Sequence, residues 1–229
     1  MMMFPSRRAA SVTVHLCLLP LLMLLTLPPA GCAIFGLAAS AIPEADVPAR
    51  YAGLKGHSVA VFVWSDRGVQ IDYPGLRLDV ASGVQAKLQQ AVKARNNDLK
   101  GTTFPYPAAS VVRFQEDHPE TADQAIVDVA PRLKADRVIY IELQNLQTRA
   151  DDAVDLYRGT AVASVKVIAV DPATGKGKAV YEESDIGASF PPSAPPEGYP
   201  GIGDAKIYRG TVDRLTTLIA VRFFSHPAT

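Results

Sequence analysis

The apolar and polar positions of the chain change pattern near residue 58, from one long apolar run to short periodic segments. Residues 58–65 form a run that is too short for a buried helix and rich in β-branched and aromatic residues, which predicts a buried strand. A Tyr-Pro-Gly turn follows at 73–75, and apolar residues then recur at helical spacing up to about Lys100. This spacing predicts an amphipathic helix that lies on a sheet.

A second strand and a short second helix are predicted next. The strand spans residues 110–114, and the helix starts at 117–119, where a proline suits the first helical turn. Pro131 then ends or kinks this helix near Ala130, because proline cannot continue the helical hydrogen bonds.

The carboxyl-terminal half predicts a sheet closed by a helix. Its three extended segments are residues 137–146, 156–171 and 178–190. A turn-rich connection at 171–177 predicts antiparallel pairing of the last two strands. Residues 191–203 contain five prolines and three glycines, which prevent regular structure, so we expect this segment to be an exposed loop. A helix over 204–224 follows, with Asp204 as its expected cap.

The predicted order is therefore β-α-β-α-β-β-β-α. A mixed sheet flanked by helices is the natural way to bury the apolar faces of these elements, which places the chain in the α/β (α+β) class.

The first 31 residues have the pattern of a secretory signal peptide. Arg7 and Arg8 supply a positive start, residues 12–27 are apolar, and small residues precede Cys32. An uncut transmembrane anchor stays open as an alternative, although the apolar run is shorter than the roughly 20 residues that a spanning helix needs.

The residues at the expected cleavage site resemble the lipobox of bacterial lipoproteins. In that motif the cysteine, here Cys32, receives diacylglycerol and becomes the first mature residue. The usual leucine three residues earlier is replaced by Pro29, so cleavage by an ordinary signal peptidase also stays open. If lipidated, the protein would be anchored to a membrane and not span it.

The chain then divides into three parts: a signal peptide at 1–31, a lipidated tether at 32–57 and a single α/β domain at 58–229. The tether is rich in alanine and lacks a sustained periodic pattern. The alternative is that its later part packs on the domain.

Charge and cysteine content narrow the possible functions. The mature chain would carry 21 basic and 23 acidic residues, which are interspersed, so we expect no nucleic-acid partner. Its lone cysteine would be Cys32, which excludes an internal disulfide.

Three segments carry a family resemblance: residues 56–61, 135–141 and 167–176. Together with the element order, they resemble the amino-terminal domain of TolB-type proteins, the curli-secretion lipoproteins, and small lipoproteins that assist transport or exopolysaccharide export. The link at 149–155 is too short and polar for the membrane hairpins of a curli-secretion channel. The resemblance therefore implies a periplasmic accessory protein or an oligomeric scaffold.

Residues with catalytic or metal-binding potential do not form a recognisable pattern. The acidic cluster Asp151, Asp152 and Asp155 lacks calcium-loop spacing, and the histidines lack zinc spacing. No serine lies in a nucleophile elbow. We therefore expect no enzyme activity, no cofactor and no metal.

The proline-rich loop offers a different kind of site. Phe190 and Tyr199 flank prolines, and such segments can bind protein partners, although a plain connecting loop is the alternative.

The resulting hypothesis is a non-catalytic, lipid-anchored envelope protein that binds a protein partner or itself. Ala33 follows Cys32 where an inner-membrane retention aspartate would stand, which favours the outer membrane, facing the periplasm. The competing hypothesis is a periplasmic solute-binding or hydrolytic protein with a site near the 191–203 loop.

Overall fold

The computed structural model describes residues 46–150, 155–193, 195, 197–201 and 203–228. The predicted signal peptide, Cys32 and the tether up to residue 45 lie outside the described residues, as do Asp151 and Asp152.

A mixed sheet of five strands forms the centre of the fold. The strands are β1 (Val59–Ser65), β2 (Arg137–Arg149), β3 (Leu156–Val170), β4 (Gly177–Phe190) and β5 (Tyr199–Pro200). Their order is β1-β2-β3-β4, and β5 pairs with the start of β3. The β1–β2 pair is parallel and the other pairs are antiparallel, which confirms the predicted mixed sheet and α/β class.

Five α-helices surround this sheet in the described parts of the chain. They are α1 (Arg67–Asp72), α2 (Leu76–Lys93), α3 (Ala108–Asp117), α4 (Ile126–Val129) and α5 (Asp204–Ala220). Short 3-10 turns occur at Asn97–Leu99, Pro119–Asp123 and Ala130–Leu133.

The prediction of a strand at 110–114 is wrong, because these residues belong to α3. The buried residues of α3 recur at helical spacing, and they are Ala108, Val111, Val112 and Gln115. The predicted second helix is short, as expected, but it begins at Ile126 and not at 117–119; α4 has one turn and is flanked by two 3-10 turns.

Asp204 is the first residue of α5 and not its cap. The capping position belongs to Gly203, and no side chain caps the helix. The carboxylate of Asp204 instead accepts hydrogen bonds from the end of β2.

The helices cover the two faces of the sheet unequally. Helices α2 and α5 pack on one face, where residues such as Val80, Ile141 and Leu215 are fully buried. On the other face, α3, α4 and the Ala130–Leu133 turn form a smaller cluster with Phe62.

The compact unit begins at Asp46, twelve residues before the predicted domain boundary at Ser58. We call residues 46–57 the strap. Val47 forms a bridge with His226, Tyr51 packs against Phe223, and Leu54 is fully buried. The later part of the predicted tether therefore packs on the domain.

In the described part of the chain, no helix combines the length and the apolar character needed to cross a membrane.

Candidate functional site

A groove of about 1110 Å³ lies between α2 and α5, and its lining on α5 runs from Asp204 to Thr216. The two helices run in the same direction, and a hydrogen bond and an ion pair join them. The end of α1, the turn at 73–75 and Thr148 of β2 complete the lining.

Gly83 sets the close approach of the two helices. A Cβ atom at this position would lie 2.8 Å from Cγ2 of Thr216, a buried residue of α5. Only glycine leaves room for this contact, so the sequence of α2 fixes the depth of the helix interface beside the groove. One turn later, the Lys87 Nζ atom lies 2.7 Å from Oδ1 of Asp213 and joins the helices again.

Two stacked tyrosines line the groove. The rings of Tyr73 and Tyr208 have centroids 5.6 Å apart and planes inclined by 14°. The Tyr208 hydroxyl donates a hydrogen bond of 2.6 Å to Oδ2 of Asp79. Burial, together with this hydrogen bond, raises the pKa of Tyr208 above its usual range. Tyr208 is therefore a neutral donor at physiological pH, and its ring presents an apolar surface beside a carboxylate.

Four carboxylates lie on the groove walls: Asp72, Asp79, Asp204 and Asp213. Asp204 is held by the Thr148 hydroxyl at 2.8 Å and by the Arg149 guanidinium, whose Nη2 lies 2.8 Å from Oδ2. The hydrogen bonds from Arg149 and Thr148 hold the pKa of Asp204 below its usual range. Asp204 is thus an ionised anchor between β2 and α5.

The groove lies at the end of the sheet where β1 and β2 both finish. Thr148 stands near the end of β2, and β1 leads through α1 into Tyr73. The carboxyl ends of parallel strands are the usual place for ligands in open α/β sheets. The groove also adjoins the 191–203 loop, because Asp204 directly follows it.

The structure gives the two predicted partner-binding residues contacts within the domain. The Phe190 ring packs against α5 at Gly210, where an added Cβ would lie 2.4 Å from the ring. Tyr199 pairs with Tyr157 as part of β5. Both residues are half-buried, and neither is among the described residues that line the groove.

A second polar cluster joins the starts of β1 and β2. Ser58 donates to Oδ2 of Asp136 through its backbone N–H and its hydroxyl, both at 2.8 Å. The His57 Nδ1 atom lies 4.0 Å from the same oxygen. Serine, histidine and aspartate meet here, but the serine hydroxyl donates to the carboxylate and not to the imidazole, so this arrangement does not activate a nucleophile.

The turn at 171–177 is likewise structural. Asp171 accepts hydrogen bonds from the Ala173 N–H at 2.9 Å and from the Thr174 hydroxyl at 2.8 Å. These bonds close the connection between β3 and β4, as the sequence predicted for this segment.

Among the residues that the structure describes, no three histidine, cysteine, aspartate or glutamate side chains are placed to hold a metal ion.

Sequence reasoning missed the groove, because its parts are distant along the chain. Tyr73 was part of a turn signal and Tyr208 was part of the apolar face of a helix, and nothing in either pattern indicated that the rings stack. The available signal was the glycine at position 83 inside a helical pattern, which often marks close packing.

Comparisons with known proteins do not assign the chain to a family. No family model and no curated protein matches it. A lipoprotein from Neisseria meningitidis has a TM-score of 0.34 and 17% identity, over 58% of this chain and 81% of that one. A hypothetical protein from Chlamydia trachomatis has a TM-score of 0.30 and 19% identity, over 59% and 72% of the two chains. The resemblance to TolB-type and curli-secretion proteins stays an expectation.

Proposed function

We propose that the protein is a lipid-anchored envelope protein that faces the periplasm, from the outer membrane, and acts without catalysis. Its role would be that of an accessory or scaffold in transport, secretion or envelope assembly. The signal pattern and Cys32 support the location, and the groove between α2 and α5 carries the proposed binding role.

The position of the groove supports binding to other envelope proteins. The chain enters the compact unit beside the carboxyl-terminal end of α5, where the Tyr51 N–H donates to the carbonyl oxygen of Arg222 at 2.9 Å. The groove begins at the opposite end of the same helix, at Asp204, and its lining continues to Thr216, about one turn before the helix ends. A partner bound at the amino-terminal end of α5 would therefore lie away from the point where the chain enters the compact unit.

The chemistry of the groove supports binding more than acid–base catalysis. Asp79, Asp204 and Asp213 already accept hydrogen bonds from residues of the chain. The stacked tyrosines offer a rigid and amphipathic contact area, of the kind enriched at protein interfaces. A groove between two helices also suits a bound segment of a partner.

Membrane fractionation tests the anchor. Replacing Cys32 by alanine, or blocking lipoprotein signal peptidase with globomycin, should release the protein from membranes or stop its maturation. Unchanged fractionation together with an unchanged mass would contradict lipidation at Cys32.

Site-specific photocrosslinking tests the binding role. A photoreactive phenylalanine at Ala205, which is exposed and lines the groove, should give adducts of defined mass in intact cells. The same residue at Ala109, exposed on α3, is the matched control and should not give these adducts. Adducts of the purified protein with itself would identify a homo-oligomer. Equal labelling from both positions, or none from Ala205, would count against the groove as a partner site.

The second candidate is a solute-binding or hydrolytic protein with its site near the 191–203 loop. The observation that favours it is the direct connection of this loop to Asp204 in the groove. In that case small periplasmic solutes should raise the melting temperature of the purified protein, and a bulky residue at Ala205 should abolish the increase.

A further inference from the structure

We infer that the groove binds a partner segment through an arginine side chain, whose guanidinium would lie on the stacked tyrosines and pair with Asp72 and Asp79. This inference rests on the proposed function and specifies the chemistry of the partner.

The carboxylates are distributed along the groove instead of converging on one point. Asp204 and Asp213 lie nine positions apart on α5, about 13 Å at the rise of an α-helix. Asp72 and Asp79 follow the opposite wall. This spread along an elongated groove suits an extended segment better than a single small cation, which carboxylates that converge on one point would hold.

Two of the four carboxylates are already neutralised from outside the groove. Lys87 pairs with Asp213, and Arg149 pairs with Asp204. The ion pairs of the described residues include neither Asp72 nor Asp79. These two side chains are exposed and lie on either side of the turn at 73–75, so this part of the groove can accept an incoming cation.

The tyrosines favour a guanidinium over other cations. The Tyr208 hydroxyl donates the 2.6 Å hydrogen bond to Asp79, and Tyr73 stacks on the Tyr208 ring. A planar guanidinium can lie over an aromatic face while its N–H groups reach a neighbouring carboxylate, whereas an ammonium offers only a point charge. The groove lining also includes one cationic residue, Arg209, which is exposed. It belongs to α5 and therefore lies on the wall opposite to Asp72 and Asp79.

Fluorescence anisotropy with the purified full chain tests this inference. The probe is a labelled decapeptide of alternating arginine and serine, compared with the same peptide carrying citrulline, a neutral isostere, in place of arginine. We expect saturable binding of the arginine peptide that weakens with salt, and at least tenfold weaker binding of the citrulline peptide. A lysine peptide should bind between the two.

The double variant Asp72→Asn and Asp79→Asn should weaken binding of the arginine peptide about tenfold, because it removes two charge-assisted contacts. Tyr208→Phe keeps the ring and should have a smaller effect, whereas Tyr73→Ala should weaken binding several-fold. The matched control is the double variant Asp123→Asn and Asp128→Asn, which changes two exposed carboxylates outside the groove and should leave binding unchanged.

Three outcomes would overturn the inference: no binding up to about 1 mM peptide, equal binding of the citrulline peptide, or equal losses in the two double variants. This failure is distinguishable from failure of the proposed function. Partner adducts at Ala205 without arginine-peptide binding would reject only the guanidinium chemistry, whereas peptide binding without adducts in cells would reject the scaffold role.

Discussion

Asp136 shows how one polar side chain determines where the sheet begins. Its Oδ2 accepts the backbone N–H and the hydroxyl of Ser58, and the Ser58 Oγ atom accepts the Asp136 N–H at 2.9 Å. The two residues are 78 positions apart, so this reciprocal contact aligns the parallel strands β1 and β2 at their starts. The Ala-Asp motif that suggested a family resemblance is therefore explained by strand alignment.

Replacing Asp136 by alanine should lower the free energy of unfolding by about 1 kcal/mol near neutral pH. A buried hydrogen bond to a charged group contributes more than about 1 kcal/mol. The Asp136 side chain is half exposed, however, so solvent weakens its hydrogen bonds. The hydrogen bonds from the Ser58 N–H and hydroxyl hold the pKa of Asp136 below its ordinary value of 3.8. Urea unfolding at several pH values measures the effect.

The pH dependence of this effect has a definite sign. Because the folded pKa of Asp136 is depressed, the unfolded chain binds the proton more readily, and the stabilisation is complete above about pH 5. It should disappear as the pH falls from the ordinary pKa through the folded one, so wild type and variant should converge in acid. A stability difference that stays constant with pH would contradict this assignment, and Asp123→Ala is the exposed control.

Phe190 and Tyr199 should differ in what they contribute to stability. Phe190 packs on Gly210, so Phe190→Ala should cost about 2 kcal/mol, less than for a fully buried ring because Phe190 is half-buried. Tyr199→Ala should cost less than about 1 kcal/mol, since its hydroxyl makes only a 3.4 Å contact with the Ser193 carbonyl oxygen. Chemical denaturation measures both. Equally small losses would leave Phe190 free to act as the partner contact that the sequence suggested.

At the scale of elements, the contact between α2 and α5 depends on a single missing side chain. Gly83 faces Thr216, whose Cβ and Cγ2 atoms leave no room for a methyl group. Thr216 is buried and its hydroxyl donates to the Asp213 carbonyl oxygen at 3.0 Å, which limits how far it can move. The geometry of the groove therefore depends on this crossing as well as on the residues that line it.

Gly83→Ala should destabilise the protein by about 1 kcal/mol. Alanine gains up to about 1 kcal/mol of helix propensity, but overpacking a buried contact usually costs about 1–3 kcal/mol. Thr216→Ser removes the methyl group that lies 2.8 Å from the added atom, so the double variant should recover part of the loss. Thermal unfolding of the two single variants and the double variant measures this coupling. Additive effects would show that the helices separate without strain.

The sequence was sufficient to predict the elements whose apolar residues recur with a regular spacing. Strands β1, β3 and β4 and helices α2 and α5 appear near their predicted positions, because their apolar periodicity reflects burial against one sheet. Helix α3 was mistaken for a strand because its buried face includes Gln115, a polar residue that a periodicity count does not recognise as core. The Gln115 Nε2 atom donates to the Val63 carbonyl oxygen at 2.9 Å, a contact that exists only in the folded chain. The groove was missed because it too depends on contacts that exist only in the folded chain. Tyr73, in the turn before α2, meets Tyr208 of α5 only when these helices pack together.

At the scale of the whole molecule, the strap joins the start of the compact unit to its carboxyl-terminal end. Tyr51 packs against Tyr181 and Phe223, with ring centroids 5.2 Å and 6.4 Å away. Arg50 pairs with Glu183, which also accepts from Arg222 Nε at 3.3 Å. The strap therefore attaches to the β4 edge and to the carboxyl-terminal end of α5.

A chain that begins at Ser58 should be less stable than one that begins at Asp46. The shorter chain lacks Leu54, whose burial alone contributes about 2–3 kcal/mol, and it loses the Tyr51 contacts. A loss of about 3 kcal/mol corresponds to a decrease of about 6–12 °C in the melting temperature of a domain of this size. Differential scanning calorimetry on both chains measures this decrease.

Arg50→Ala in the longer chain is the control for charge, and its effect should be small because the Arg50 side chain is 60% exposed. Equal melting temperatures of the two chains would mean that the strap rests on the domain without stabilising it. The functional domain would then start where the sequence placed it.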